Sequence, residues 1–277
     1  MFDLAAIETA LAGTIFAGKL HFSPVTHSTN TDALNAAREG AAHGSVWLAD
    51  EQLAGRGRGD HSWDSAAGEG LYVSVLLRPP MPARRLPLLP LAAGLAAAAA
   101  VRAVSGLNVD LRWPNDLLIP TPQTKTCLRG SRLGPRKAGG ILVEAHTKGA
   151  AVAFAVVGIG INVHQRSFAP GRPTPATSLD LEAGRRIGRQ PLLVSLLKSL
   201  EREALGLLDA AASVAIPRRM EEASTWVRGK RVQVHGPQAC TGVTAGLDEN
   251  GFLLVRTSDG LVTVQTGGIR AAENLED

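Results

Sequence analysis

At 277 residues the chain has room for one large domain, or a large domain joined to a small one. Hydrophobic residues make up 45% and charged residues 19%, which suits a soluble globular protein with ample core, and a formal net charge of +4 admits anionic ligands without demanding nucleic acid. No uninterrupted apolar run reaches about 18 residues, so a membrane-spanning helix is not expected.

Leu4 to Leu11 predicts a short amphipathic helix, with acids in the first ten residues and no basic run of the kind that opens a signal peptide. The expected location is the cytoplasm. Ser28 to Glu39 predicts a second helix, opened by small polar residues and stopped by Gly40. Val46 to Ala49 and Leu71 to Leu77 read as strands, and Leu88 to Val104 as a long apolar helix rich in alanine. Further strands are expected around Asp110 to Arg112, Gly140 to Ala145 and Val152 to Val157. Leu192 to Leu208 has apolar residues at three- and four-residue spacing, which predicts a helix. Pro120 to Arg136 and Phe168 to Thr177 read as loops, the first mobile and the second a surface stretch. After Trp226 come short strands at Arg231 to Val234, Thr241 to Ala245, Phe252 to Val255 and Leu261 to Val264. Turns such as Asn250-Gly251 and Asp259-Gly260 separate them, which predicts a small β-barrel. Cys127 and Cys240 lack metal-ligand spacing and read as unpaired thiols in a reducing compartment.

The most informative stretch is QLAGRGRGDHSW, from Gln52 to Trp63. Glycine lets a backbone come close to a ligand, and arginine offers a planar fork of donors for phosphate or carboxylate. The apolar strands on either side make this a loop between core elements, not part of a disordered basic tail. Three later segments carry matching chemistry: Arg112-Trp113-Pro114-Asn115-Asp116, Arg136-Lys137-Ala138-Gly139-Gly140 running into ILVE, and AVVGIGINV from Ala155 to Val163. The last fails as a dinucleotide fingerprint because its third glycine is missing, and no Walker A motif occurs.

With the early Ser28-Thr29-Asn30, these segments in this order resemble the biotin protein ligases, from about Ser28 to the C-terminus. The resemblance implies an α/β fold in the α+β sense: a catalytic domain over residues 1–225, with a mixed β-sheet flanked by helices, and an SH3-like β-barrel over 226–277. It implies an enzyme that activates biotin with ATP as biotinyl-5′-AMP, then transfers biotin to a lysine of a biotin carboxyl carrier protein. Mg²⁺ is the implied cofactor.

Residue by residue, the resemblance places Ser28, Thr29, Asn30 and Gln52 around the ureido ring of biotin, whose donors and acceptor all need partners when buried. Ser28 to Asn30 could equally serve only as a helix cap. Gly55, Arg56, Arg58, Lys137, Gly139 and Gly140 complete the implied biotin site. Arg56, Gly57, Arg58, Trp63, Asn115, Asp116, Lys137 and Asn162 form the implied nucleotide site, with Gly158 and Gly160 beside them. Lys137 and Arg58 are the expected catalytic cations, because charge builds on phosphate oxygens during activation. Asp116 is the implied metal ligand, although Pro-Asn-Asp is also ordinary turn chemistry. Arg112 stands where the family commonly has lysine. Asp60 and His61 depart from the usual loop, and His61 is expected on its surface.

Some family members carry an N-terminal DNA-binding module; the 27 residues before Ser28 are too few for one, so specific DNA binding is not expected. A monomer or a homodimer is compatible with the sequence. The rival readings are a lipoate–protein ligase and a non-catalytic biotin or nucleotide sensor. The GRGR run favours biotin over lipoate, and retention of Arg58, Asp116 and Lys137 favours catalysis.

Overall fold

A computed structural model of the chain describes residues 2–59, 61–120, 134–171 and 173–272. Most of the expected Pro120–Arg136 loop therefore lies outside the described residues, as do Asp60 and Cys127.

Helix α1 (Leu4–Ala10) is capped by the Asp3 carboxylate, which accepts from the Ala6 amide. Strand β1 (Leu20–Thr26) leads through α2 (Thr29–Arg38) to β2 (Val46–Gln52) and then β3 (Gly70–Leu77). Helix α3 (Leu88–Ser105) precedes β4 (Asp110–Arg112), β5 (Asp116–Ile119), β6 (Arg136–Lys148) and β7 (Ala151–Asn162). These strands form one seven-stranded sheet in the order β1-β2-β3-β7-β6-β5-β4. β1 and β2 are parallel, whereas the other pairs are antiparallel, so the sheet is mixed as expected.

Side chains alternate across β3 and β7, and that alternation sorts the two faces. Val73, Val75, Val157, Ile159 and Ile161 join the main core with α3 and with α5 (Arg189–Leu208). Leu76 and Val156 face the other way, against Ala33 and Ala37 of α2 and against Phe154. Because both faces are covered, all of β3 is buried, which is why it reads as an apolar run interrupted only by Ser74 after its opening glycine. Helix α3 is apolar almost all round. Among the described residues it is the one helix long and apolar enough to cross a membrane, yet it packs on α5 inside the protein. Gly106 ends it in the left-handed conformation, at φ 79°.

Short α4 (Leu179–Ala183), then α5 and α6 (Ala210–Glu222), lead to a second sheet. It comprises β8 (Arg228–His235), β9 (Cys240–Leu247), β10 (Leu253–Thr257), β11 (Gly260–Val264) and β12 (Gly268–Ala271). Its antiparallel order, β11-β10-β9-β8-β12, is consistent with the expected SH3-like barrel. This sheet is not a separate body, because its Val232, Leu253, Val255 and Ile269 share one core with α3 and the large sheet.

Several expectations need correction. β6 starts at Arg136, so Lys137 lies inside the strand and not just before it. Asp116 opens β5 instead of sitting only in a turn. β1, β5, α4, α6 and β12 have no counterpart among the elements expected from the amino-acid sequence.

Candidate active site

The segment after β2 folds into a narrow ribbon. Gln52 and Ser65 form an antiparallel bridge, as do Arg56 and Ser62. The Trp63 amide donates to the Gly55 carbonyl at 2.8 Å and the Gly57 amide to the His61 carbonyl at 2.6 Å. Gly55 is required by close approach: a Cβ there would lie 2.3 Å from the Trp63 carbonyl oxygen. The ribbon roofs a cleft of about 680 Å³, a size suited to a small-molecule ligand. All the expected site residues line this cleft except Gly55 and Gly139, which shape its wall from behind. His61 lines it too, although it is exposed.

One end of the cleft is a network of buried neutral groups. Ser28 occupies the N-cap of α2 without a side-chain capping bond, so capping does not explain its position. Thr29 donates its backbone N–H to Gln52 Oε1 at 2.9 Å, and its hydroxyl lies 2.8 Å from Ser74 Oγ. Ser74 Oγ donates to Asn30 Oδ1 at 2.6 Å, and Gln52 Nε2 donates to Ser65 Oγ at 2.8 Å. Gly158 lets the Asn30 amide lie flat on the sheet, since a Cβ there would sit 2.0 Å from Asn30 Oδ1.

The other end is cationic. Lys137 Nζ lies 2.5 Å from Asp116 Oδ1, while Arg112 sets Nε and Nη2 on Asp116 Oδ2 at 3.0 and 2.5 Å. A lysine could not make that two-pronged contact, so the Arg112 departure has a geometric use. A register shift in the β5–β6 ladder places Lys137 there: Leu117 faces Gly139, but Leu118 faces Lys137, skipping Ala138. Burial by itself would raise the Asp116 carboxyl, but Lys137 and then Arg112 outweigh it and hold its pKa below the ordinary value. The Arg58 guanidinium donates to the Gly267 carbonyl of the second sheet. Desolvation lowers its pKa, with Asp116 opposing, and an arginine so shifted still carries its charge.

Trp63 lies between these ends over Gly140 and Gly160, with Lys137 Nζ 5.4 Å from its ring centre. Asn115 donates to the Ile141 carbonyl at 2.7 Å and Asn162 to the Thr177 carbonyl at 3.0 Å, so both brace the walls. The stretch from Phe168 to Thr177 is more than a surface segment. The Lys137 amide donates to Pro175, the Thr177 amide donates to Lys137, and Phe168, Thr174 and Ala176 line the cleft.

Asp116 fits poorly as one ligand of a protein-held metal. Both of its oxygens are engaged by cations, and among the described residues no group of three His, Cys, Asp or Glu is placed to hold an ion. The Arg56 guanidinium is likewise engaged, bidentately, by Glu144. Ser65, Ser74, Glu144 and the Gly267–Arg270 edge of the second sheet were not singled out from the sequence. Each joins the site through contacts between residues far apart in the chain; Glu144 stands at the end of the Arg136–Glu144 segment, but nothing local marks its contacts or the other residues.

A buried polar pocket for a neutral ring, continuous with a cationic end suited to carboxylate and phosphate, defines the site of an acyl-activating ligase. A sequence profile of the biotin/lipoate A/B protein ligase family matches residues 22–162. The biotin–[acetyl-CoA-carboxylase] ligase of Mycobacterium tuberculosis is 34% identical over 251 residues, 88% of this chain and 85% of that one. The bifunctional ligase/repressor BirA of Bacillus spizizenii is 29% identical over 266 residues, 95% of this chain and 77% of its own length. Among solved structures, the Aquifex aeolicus biotin protein ligase in complex with biotin and ATP is similar, with a TM-score of 0.75 at 26% identity, covering 92% of this chain and 100% of that one. The chain belongs to the biotin/lipoate A/B protein ligase family.

Proposed function

We propose that this protein is an ATP-dependent biotin protein ligase. One observation carries the reading: the cleft joins a polar, hydrogen-bonding end at Thr29, Asn30 and Gln52 to the Lys137–Asp116–Arg112 cluster and Arg58. In the first step a biotin carboxylate oxygen attacks the α-phosphorus of ATP, the bond to the bridging oxygen breaks, and pyrophosphate leaves. Negative charge spreads over the phosphate oxygens, and Lys137, aimed by Asp116, is the donor placed to meet it. No covalent nucleophile is needed. Arg58 holds the resulting mixed anhydride from the roof. In the second step the neutral ε-amine of an acceptor lysine attacks the acyl carbon and AMP departs.

Residues 1–225 supply the pocket and the cations, and residues 226–277 supply the edge on which Arg58 rests. The acceptor is the biotin carboxyl carrier domain of a carboxylase. Magnesium enters as the counter-ion of the ATP phosphates, which suits a hard cation that keeps its waters. No step here is assigned to it.

The test is to supply the purified protein with ATP, Mg²⁺ and either biotin or lipoate, then measure pyrophosphate and biotinyl-AMP by mass spectrometry. Biotin-dependent pyrophosphate release, followed by labelling of a carrier-domain lysine, is expected. Release with lipoate but not biotin would overturn the assignment.

A further inference from the structure

Glu144, on β6, sits behind two residues that line the cleft, Asn30 and Arg56. Its carboxylate nevertheless collects three N–H donors. Arg56 Nη1 reaches Oε1 at 3.1 Å, Arg56 Nη2 reaches Oε2 at 2.5 Å, and Asn30 Nδ2 reaches Oε2 at 2.9 Å. The two donor residues belong to different parts of the site: Asn30 is 4% exposed on the floor of the polar pocket, while Arg56 sits on the roofing ribbon with 41% of its side chain exposed.

A half-exposed ion pair alone contributes little. The shared contact with a buried amide makes this one different. An amide group can flip and exchange its oxygen for its nitrogen, and a carboxylate, which only accepts, removes that freedom. With Glu144, and more distantly the Leu142 carbonyl, accepting from Nδ2, the Asn30 oxygen is turned to Ser74, whose hydroxyl donates to it.

We infer that Glu144 is a positioning residue for biotin recognition: it fixes the Asn30 amide in the orientation that receives a ureido N–H, and it fastens the roof over that same pocket through Arg56. The inference rests on the biotin-ligase reading above.

Arg56 reaches both carboxylate oxygens, so glutamine at this position sets its N–H group against Arg56 in either orientation; the roof contact is broken, and the acceptor for Asn30 survives in only one of the two. Aspartate keeps the charge but is one methylene too short to serve both. Biotin and ATP binding are measured separately by calorimetry on the full-length parent, Glu144→Gln and Glu144→Asp, with thermal melting as the check on folding. Glu144→Gln is expected to weaken biotin binding about tenfold, the scale of one hydrogen bond to a charged group. ATP binding without biotin should stay within about twofold of the parent, and Glu144→Asp should fall between Gln and parent for biotin. The ribbon should also become a faster trypsin substrate at Arg56 and Arg58 in Glu144→Gln. Parental biotin affinity in Glu144→Gln would overturn the inference, as would an equal loss of biotin and ATP binding. If the parent itself does not bind biotin, the ligase reading fails and not merely the role of Glu144.

Discussion

Lys137 and Arg58 both bear positive charge at the reaction end, but their supports differ. Lys137 comes from a strand and is held by Asp116 at 2.5 Å; Arg58 comes from the ribbon and leans on the Gly267 carbonyl. Lys137→Ala should therefore slow adenylate formation roughly 100- to 1,000-fold, the effect of removing one oriented donor at a transition state, while biotin still binds. Arg58→Gly should still form adenylate but let it escape, so that a bystander protein becomes biotinylated. Single-turnover kinetics and bystander labelling check both outcomes; parental rate in the first or parental retention in the second would refute the roles. Asp116 makes a pH prediction. Its pKa in the folded protein is held below the ordinary carboxylate value of about 4, so its stabilising effect is complete above that value. That effect is lost as pH falls through the lowered folded-state value. The difference in urea midpoint between parent and Asp116→Asn should accordingly shrink on acidification below about pH 4. A constant difference down to pH 3 would contradict this.

At the level of elements, the glycines of β6 and β7 make a floor that the ribbon and α2 can touch. Gly158→Ala would put a Cβ 2.0 Å from Asn30 Oδ1. Expelling that amide should weaken biotin binding at least about tenfold and cost about 1–3 kcal/mol of stability through overpacking. Equilibrium binding and thermal melting would show it, and undiminished biotin affinity would count against a pocket at Asn30. This part of the site was legible in the sequence because only glycine admits such close approach, so the GIG and AGG runs carry the information themselves. Other parts were not. β1 contains Pro24 and has a mixed burial pattern, so neither propensity nor alternation marks it as a strand. α6 hides behind Pro217, and β5 is masked by the turn chemistry of Pro114-Asn115-Asp116. The skipped residue at Ala138, which brings Lys137 onto Asp116, depends on the pairing of β5 with β6 and has no local signature. Lys137 itself was found from the motif; its ion pair with Asp116 was not.

Across the whole molecule, the second sheet completes the site instead of merely following it. Trp113 Nε1 donates to the Gly251 carbonyl at 3.0 Å, and Gly251 packs on Leu88 and Leu91 of α3. Deleting 228–277 would uncover these groups, so a substitution in the intact chain is the cleaner probe. Gly267, at φ 126°, has no room for a Cβ, which would lie 2.1 Å from the His235 carbonyl oxygen. Gly267→Ala should displace the carbonyl that receives Arg58 and speed adenylate escape roughly tenfold, imitating Arg58→Gly from another sheet. Unchanged retention of adenylate would separate the second sheet from the roof. The roof also has a mechanical consequence. The ribbon between Gln52 and Ser65 is tied across by its own hydrogen bonds, so lifting it off the cleft would not require breaking them. Its opening is then opposed by two clasps, Arg56 on Glu144 and Arg58 on Gly267, anchored in different sheets. Under the proposed function, release of Arg58 from Gly267 with Arg56 still on Glu144 would open the cationic end to an acceptor lysine and leave the polar end covered.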